Sequence, residues 1–301
     1  MKSLKIFGYF ILFSFSALIL CAVVMTAVLL SLPNVKTLET CFTTSMFKVK
    51  LCPGTDQYVK LKQISPFMVH ALITAEDGSF YSHKGIDWHE LQESLNANLR
   101  SGQIRRGGST LTQQLAKNVF LSNEKSIWRK IKEAYLAYSI ERTYPKDVIL
   151  EKYLNVVEFG PKLYGIKAAA QHYFQKPPSQ LHPLEAAYLA FLLPNPKGYS
   201  KSFRTGRLTP FARKMVAVIL KRMSSFGKLS APAYQTAISE IGSFPWGELT
   251  LASFEGTPTY SLDATGDSGA AALDAETLEA IMRDEGAQGE EFIDFNAEDE
   301  E

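Results

Sequence analysis

Cysteine is scarce in this 301-residue chain, with three residues, and neither a CxxC pair nor an HExxH motif is present. The sequence therefore shows no recognisable zinc or dithiol redox site. It also lacks the GxxxxGK[ST] loop of P-loop proteins and any motif of a nucleic-acid-binding fold. Alternation of apolar and polar residues with a period of two is almost absent, so we expect a mainly α-helical fold.

A large net charge is missing from the chain as a whole, which carries +1, but not from its parts. Residues 262–301 hold fourteen acidic residues and one arginine, a net charge of −13, which leaves +14 for residues 1–261. The basic part suits anionic lipid headgroups or a phosphorylated substrate. Residues 246–301 are predicted to be an acidic, disordered tail, because their apolar content is too low to offset the entropy of ordering.

The N-terminus has the pattern of a membrane anchor. Residues 1–5 carry Lys2 and Lys5, and residues 6–32 then run without a charge. Such a run is long enough to span a bilayer. Because no A-x-A-like cleavage site follows, we favour an uncleaved transmembrane anchor over a signal peptide. The leading lysines predict a cytoplasmic N-terminus, which for a bacterium places the rest of the chain on the periplasmic side of the inner membrane.

Residues 33–57 are predicted to be a periplasmic linker and residues 58–245 a globular domain. Cys41 and Cys52 lie in the linker, where they could form a disulfide or remain two free thiols. Gly78 is expected to terminate the first helix of the domain. Cap residues, prolines and apolar periodicity predict helices over approximately residues 66–77, 88–99, 110–118, 127–143, 145–155, 166–174, 184–193, 211–223 and 234–241.

The stretch Arg105–Asn118, RRGGSTLTQQLAKN, stands out within the domain. Thr110 and Gln113 fit a capping box, in which each side chain satisfies the backbone N–H of the other. Ser109, Gln113 and Lys117 fall four apart and share one helix face. A helix N-terminus beside the two arginines that open the stretch suits an anion such as a phosphate. A solvated polar helix after a flexible loop is the alternative reading.

Two glutamates have contrasting predicted surroundings. Glu76 lies at a predicted helix C-terminus beside Phe80 and Tyr81, where the helix dipole and apolar neighbours would raise the pKa of its carboxyl. Such a group is suited to proton transfer near neutral pH. Glu133 instead lies one helical turn after Arg129. Two carboxylates in unlike surroundings are a common acid/base arrangement, although each alone also fits a surface salt bridge.

Five segments together resemble the motifs of the family 51 glycosyltransferases, the peptidoglycan glycosyltransferases, in the family's order and spacing. The resemblance covers about residues 60–225, and the EFGP form of the fourth motif is closest to the monofunctional members. The segments are EDGSFYSHKGID (76–87), GGSTLTQQLAKN (107–118), RKIKEAYLAYSIER (129–142), YLNVVEFGPKLYGIKAAAQHYF (153–174) and LEAAYLAFLLPNP (184–196).

This resemblance implies a mainly α fold, with a lysozyme-like helical lobe and a small membrane-associated lobe after one transmembrane helix. It implies polymerisation of lipid II into β-1,4 glycan strands with inversion and release of undecaprenyl pyrophosphate. The implied partners are lipid II, the growing glycan strand and membrane lipids. Proteins of cell-wall synthesis or division are left open as partners, and no nucleic acid is expected.

The resemblance also implies roles for individual residues. Glu76 would be the general base for the 4-hydroxyl of the acceptor sugar, and Glu133 would help to stabilise the departing pyrophosphate. No cofactor is required, and a divalent cation, Mg²⁺ or Mn²⁺, is left open at Glu133. Gly78 and Ser79 depart from the family, since many relatives have a basic residue there. The implied substrate-binding residues are Asp77, Phe80, His83, Ser109, Thr110, Gln113, Gln114, Lys117, Asn118 and Arg129.

Three other functions compete with glycosyl transfer. A lytic, lysozyme-like enzyme would not need the basic set that includes Lys117 and Arg129. A non-catalytic scaffold of cell-wall synthesis would not need both glutamates. A penicillin-binding transpeptidase would need an S-x-x-K motif, but the matches at 45–48 and 122–125 lie outside any region of transpeptidase size.

Overall fold

The computed structural model describes residues 2–101, 108–124 and 126–254. Helix α1, Lys2–Leu30, is continuous and contains the apolar span Ile6–Val28. This span has a mean hydropathy of 2.6, and none of its described residues is buried against the rest of the protein. Within the described residues it is the one helix long and apolar enough to cross a membrane. The predicted N-terminal apolar helix is therefore confirmed, and the single free cysteine of the described part, Cys21, is exposed on it.

The linker contains a small disulfide-closed ribbon. After a 3-10 turn at Val35–Glu39, strands β1, Phe42–Thr43, and β2, Lys50–Leu51, pair antiparallel. A disulfide joins Cys41 to Cys52, each next to one strand of the pair. Of the two states that the sequence leaves open for these cysteines, the structure has the disulfide.

The remaining described chain is mainly helical, as predicted. Cap residues at several helix starts, such as Ser126 and Thr209, accept a hydrogen bond from a backbone N–H of the first turn. The helices are α2 Pro66–Glu76, α3 Trp88–Ser101, α4 Leu111–Phe120, α5 Ile127–Thr143, α6 Lys146–Val156, α7 Ile166–Phe174, α8 Pro183–Leu192, α9 Pro196–Tyr199, α10 Lys201–Arg204, α11 Pro210–Ser225 and α12 Ala231–Ser239. A two-stranded ribbon, β3 Glu158–Gly160 with β4 Leu163–Tyr164, connects α6 to α7.

The core of the domain is built around α8. All ten of its residues are buried, and α2 and α11 pack against it and against each other. Its alanines at positions 186, 187 and 190 have no exposed surface and allow the neighbouring helices to approach closely. The packed chain continues past α12 to Phe254, whose ring stacks on that of His182. This packing holds α2, and with it the carboxylate at its end.

Helix α4 packs against both α5 and α6. Leu111 and Leu115 have no exposed surface, so this stripe of α4 faces the core. The disulfide-closed ribbon braces the other end of α4, because the N–H of Ser45 donates to the carbonyl of Val119 at 2.8 Å. The helix that carries most of the predicted site is therefore fixed at both ends.

The first helix of the domain ends where the sequence predicts, but Gly78 does not terminate it. Helix α2 ends at Glu76, Asp77 follows with φ −158°, and Gly78 is exposed with a φ outside the left-handed region. Asp77 instead accepts a hydrogen bond from the N–H of Leu111 at 2.9 Å. A tertiary contact to α4 replaces the glycine cap as the reason that the helix stops.

Candidate active site

Glu76, the last residue of α2, is partly buried and has one neutral hydrogen-bond donor. Its Oε2 accepts from Nε2 of Gln114, on α4, at 2.8 Å. Burial raises the pKa of the Glu76 carboxyl, the Gln114 hydrogen bond opposes this, the charge of Asp77 raises the pKa further, and the charge of Lys117 lowers it. The raised pKa that the sequence predicts for Glu76 is thus present, with burial as its main cause.

Gln114 is itself held by a hydrogen bond from Tyr153 on α6. The hydroxyl of Tyr153 donates to Oε1 of Gln114 at 2.9 Å, and Tyr153 has no exposed surface. Glu76, Gln114 and Tyr153 therefore form a hydrogen-bonded series that runs through three helices. Tyr153 was not among the predicted site residues, and its place in the fourth motif was the one signal that pointed to it.

Asp77 joins α2 to α4. Besides the Leu111 N–H, both of its carboxylate oxygens lie 3.0 Å from Nε2 of His83, and it is 7% exposed. Nδ1 of His83 accepts from the N–H of Gly85 at 3.1 Å, which places the imidazole proton on Nε2. A carboxylate at the N-terminus of α4 is also favoured by the helix dipole.

The capping box predicted at the start of α4 is present. The N–H of Thr110 donates to Oε1 of Gln113 at 3.0 Å, and the N–H of Gln113 donates to Oγ1 of Thr110 at 3.2 Å. Thr110 also donates to the carbonyl of Gly85 at 2.7 Å. Both side chains are buried, so the structure places them in the support of α4.

Glu133, on α5, is paired with two cations. Its side chain is 3% exposed, and its Oε2 and Oε1 lie 2.6 Å from Nη1 of Arg129 and 2.5 Å from Nζ of Lys130. Lys130 also donates to Oγ of Ser109 at 2.7 Å, which links α5 to the start of α4. The sequence indicated Arg129 but not Lys130, whose spacing of three residues from Glu133 was the available signal.

Lys117 lies close enough to both glutamates for their charges to act on it. Burial lowers the pKa of its ammonium, the charge of Glu133 raises it, Arg129 and Lys130 lower it, and Glu76 raises it. In the described part of the chain the ammonium donates no hydrogen bond. Three cations around one buried carboxylate leave a net positive charge, which suits a phosphate group.

The other predicted residues surround this centre. Phe80 has no exposed surface and packs under Nζ of Lys146, 4.5 Å from its ring centroid. Asn118 is buried, and its carbonyl accepts from the N–H of Met46 in the linker ribbon at 3.3 Å. Arg105 and Arg106 fall outside the described residues.

The donors near Glu133 do not fit a resident metal ion. Both of its oxygens contact cations, and the described residues contain no group of three or more His, Cys, Asp or Glu side chains that could hold one. A divalent cation prefers several oxygen ligands.

The sequence is similar to those of known proteins. Residues 46–224 match the model of the Transglycosylase family. The chain belongs to this family. It is 48% identical over 159 residues to the biosynthetic peptidoglycan transglycosylase of Aromatoleum aromaticum, which covers 53% of this chain and 69% of that relative. It is 41% identical over 169 residues to the protein of the same description from Nitrosospira multiformis, covering 56% and 72%.

Membership in the transglycosylase family confirms the predicted enzyme class, glycosyl transfer. The matched range begins in the linker ribbon and ends in α11, so it includes every residue named in the site above. The family match does not itself assign roles to those residues.

Proposed function

We propose that this peptidoglycan glycosyltransferase polymerises lipid II into β-1,4 glycan strands and releases undecaprenyl pyrophosphate. The names of the relatives support peptidoglycan as the substrate class. The observation that carries the proposal is a glutamate with one neutral hydrogen-bond donor, Glu76, in the same site as the net positive cluster around Glu133. One group takes a proton and the other receives an anion.

Glu76 acts as the general base. Among the described residues only its Oε2 accepts a hydrogen bond, which leaves Oε1 for the 4-hydroxyl of the acceptor sugar. Burial raises the pKa of the carboxyl, and a base that titrates nearer to the working pH has more driving force to take a hydroxyl proton. The deprotonated oxygen attacks the anomeric carbon of the donor from the face opposite the leaving group, which inverts that carbon.

The cluster of Lys117, Arg129 and Lys130 receives the leaving group. A pyrophosphate departs as an anion, so it needs fixed positive charge and not a proton donor. Glu133 binds two of the three cations and so fixes their positions. The proposal needs no resident cofactor.

The substrate is a membrane lipid, and the chain has surfaces that suit one. Helix α1 would anchor it in the inner membrane, with the N-terminus cytoplasmic and the catalytic domain periplasmic. Trp88 and Leu99 on α3, and Ile127 and Trp128 on α5, are between 52% and 80% exposed. We assign these four exposed apolar side chains to contact with membrane lipids, since the proposed substrate lies in the membrane.

The test uses the purified full-length chain in detergent with lipid II, and separates the products by size. Wild type should give long strands that lysozyme cuts, Glu76→Gln should not, and Glu248→Gln, a change at an exposed glutamate, should behave like wild type. Shortening of preformed strands would favour the lytic function. A folded, membrane-bound wild type without polymer would favour the scaffold.

A further inference from the structure

The series from Tyr153 to Glu76 links a fully buried hydroxyl to a carboxylate that is only partly buried. Tyr153 donates to the carbonyl end of the Gln114 side chain at 2.9 Å, and the amide end donates to Glu76 at 2.8 Å. Burial, with smaller contributions from the charges of Glu76 and Asp77, raises the pKa of the Tyr153 hydroxyl well above its ordinary value. The hydroxyl therefore stays protonated and remains a donor.

A glutamine side chain has a donor end and an acceptor end of nearly the same shape. Its orientation is decided by what its two ends meet, which here are the acceptor-only carboxylate of Glu76 and the hydroxyl of Tyr153. Because the Tyr153 hydroxyl is a donor to Gln114, the amide oxygen faces α6 and the N–H faces Glu76. A glutamine turned the other way would place its oxygen against the carboxylate, which repels it.

We propose that Tyr153 is a positioning residue for the base: its hydroxyl orients Gln114 so that the amide N–H holds one oxygen of Glu76 and leaves the other for the substrate hydroxyl. This inference rests on the proposed function of Glu76. Tyr153 itself neither gives nor takes a proton in the step. The proton of the acceptor hydroxyl passes to Glu76, and the oxygen that loses it forms the glycosidic bond as pyrophosphate leaves.

The tyrosine acts on Glu76 only through the amide. Without the Tyr153 hydroxyl, the Gln114 carbonyl loses its buried donor, and the amide is held in place only by its bond to Glu76. The Gln114 hydrogen bond, which favours the charged form of Glu76, is then held less firmly. The expected consequence is a base that becomes active only at higher pH, in an otherwise folded enzyme.

The test compares Tyr153→Phe with Tyr173→Phe. Tyr173, on α7, is 4% exposed and donates to the carbonyl of Phe159 at 2.8 Å, so its change removes a similarly buried hydroxyl away from Glu76. With lipid II as substrate, Tyr153→Phe should lower kcat on the order of tenfold at neutral pH with KM little changed. The acid limb of its kcat/KM profile should move to higher pH. Tyr173→Phe should leave kcat and the acid limb as in wild type.

The Gln114→Leu variant distinguishes an effect on the orientation of Gln114 from a general loss of stability. Gln114→Leu should move the acid limb in the same direction, and adding Tyr153→Phe to it should change the limb no further. An unmoved acid limb in Tyr153→Phe, or a further shift of the same size in the Gln114→Leu background, would overturn the inference. If Tyr153→Phe does not fold, an unmoved limb in Gln114→Leu alone would overturn it.

A direct titration distinguishes failure of this inference from failure of the proposed function. Carbon-13 NMR of labelled glutamate carboxyls, with Glu76 assigned by its loss in Glu76→Gln, follows the protonation of Glu76 without any turnover. The titration of Glu76 should move to higher pH in Tyr153→Phe and not in Tyr173→Phe. If the protein makes no polymer but shows this shift, the proposed polymerase function is refuted, whereas the orientation of Gln114 by Tyr153 still holds.

Discussion

Glu76 and Glu133 are both buried to some degree in the same site, yet their neighbours differ in kind. Glu76 has one neutral partner, Gln114, and a free oxygen among the described residues. Both oxygens of Glu133 are occupied by cations, Arg129 and Lys130. A carboxylate with a cation at each oxygen is less available to accept a proton from a substrate hydroxyl. The contrast supports the proposal that Glu76 takes the proton and that Glu133 orders the positive charge.

The largest expected effect comes from removing each carboxylate. General-base catalysis contributes about 10²–10⁴-fold, so Glu76→Gln should lower the rate by about that factor. Glu133→Gln should also slow the reaction, because its two cations lose their anchor. The two variants differ in pH dependence: the residual activity of Glu133→Gln should keep the acid limb, and that of Glu76→Gln should lose it. Lipid II turnover measured from pH 5 to 9 checks this, and a surviving limb in Glu76→Gln would reassign the base.

The two glutamine variants should have smaller effects on stability, and these effects should be opposite in sign at pH 8. The pKa of Glu76 is raised in the folded chain, so its contribution to stability is present below the unfolded pKa and is lost as pH rises through the folded pKa. Glu76→Gln should therefore raise Tm at pH 8. At a pH below the ordinary pKa of a glutamate, where both side chains are neutral, it should change Tm little.

Glu133→Gln should lower the free energy of unfolding at pH 8, because it leaves Arg129 and Lys130 beside a neutral amide. Loss of one partner from a fully buried ion pair costs about 3–5 kcal/mol, but Lys130 is 43% exposed, so we expect about 1–3 kcal/mol. Thermal unfolding of the full chain in detergent, with Glu248→Gln as the surface control, measures both changes. Destabilisation by Glu76→Gln at pH 8 would remove the contrast between the two glutamates.

Much of the site was predictable because its spacings are local. The end of α2 at Glu76, the Thr110–Gln113 capping box and the Arg129–Glu133 pair each involve residues within four positions of one another. Lys130 was missed although its spacing from Glu133 is also local.

The contacts that were not predictable join residues distant in sequence. Asp77 and Leu111 are 34 positions apart, and Gln114 and Tyr153 are 39 apart. No periodicity specifies which buried tyrosine meets which glutamine, because that depends on how α4 packs against α6. The disulfide is an intermediate case: spacing allowed it, but the pairing of Phe42 with Leu51 in the ribbon brings Cys41 and Cys52 together.

The smallest effect tests whether Lys117 serves both glutamates. The charge of Lys117 lowers the pKa of Glu76, whereas Arg129 is not among the charges that shift it. Lys117→Met should therefore move the acid limb of kcat/KM to higher pH by less than about one unit, in addition to slowing the reaction through the leaving group. Arg129→Met should slow the reaction and leave the limb in place. If both variants moved the limb equally, the positive cluster would act on the base as a whole, and the division between Glu76 and Glu133 would be one of degree. A shift confined to Lys117→Met would instead show that one lysine connects two otherwise separate carboxylates.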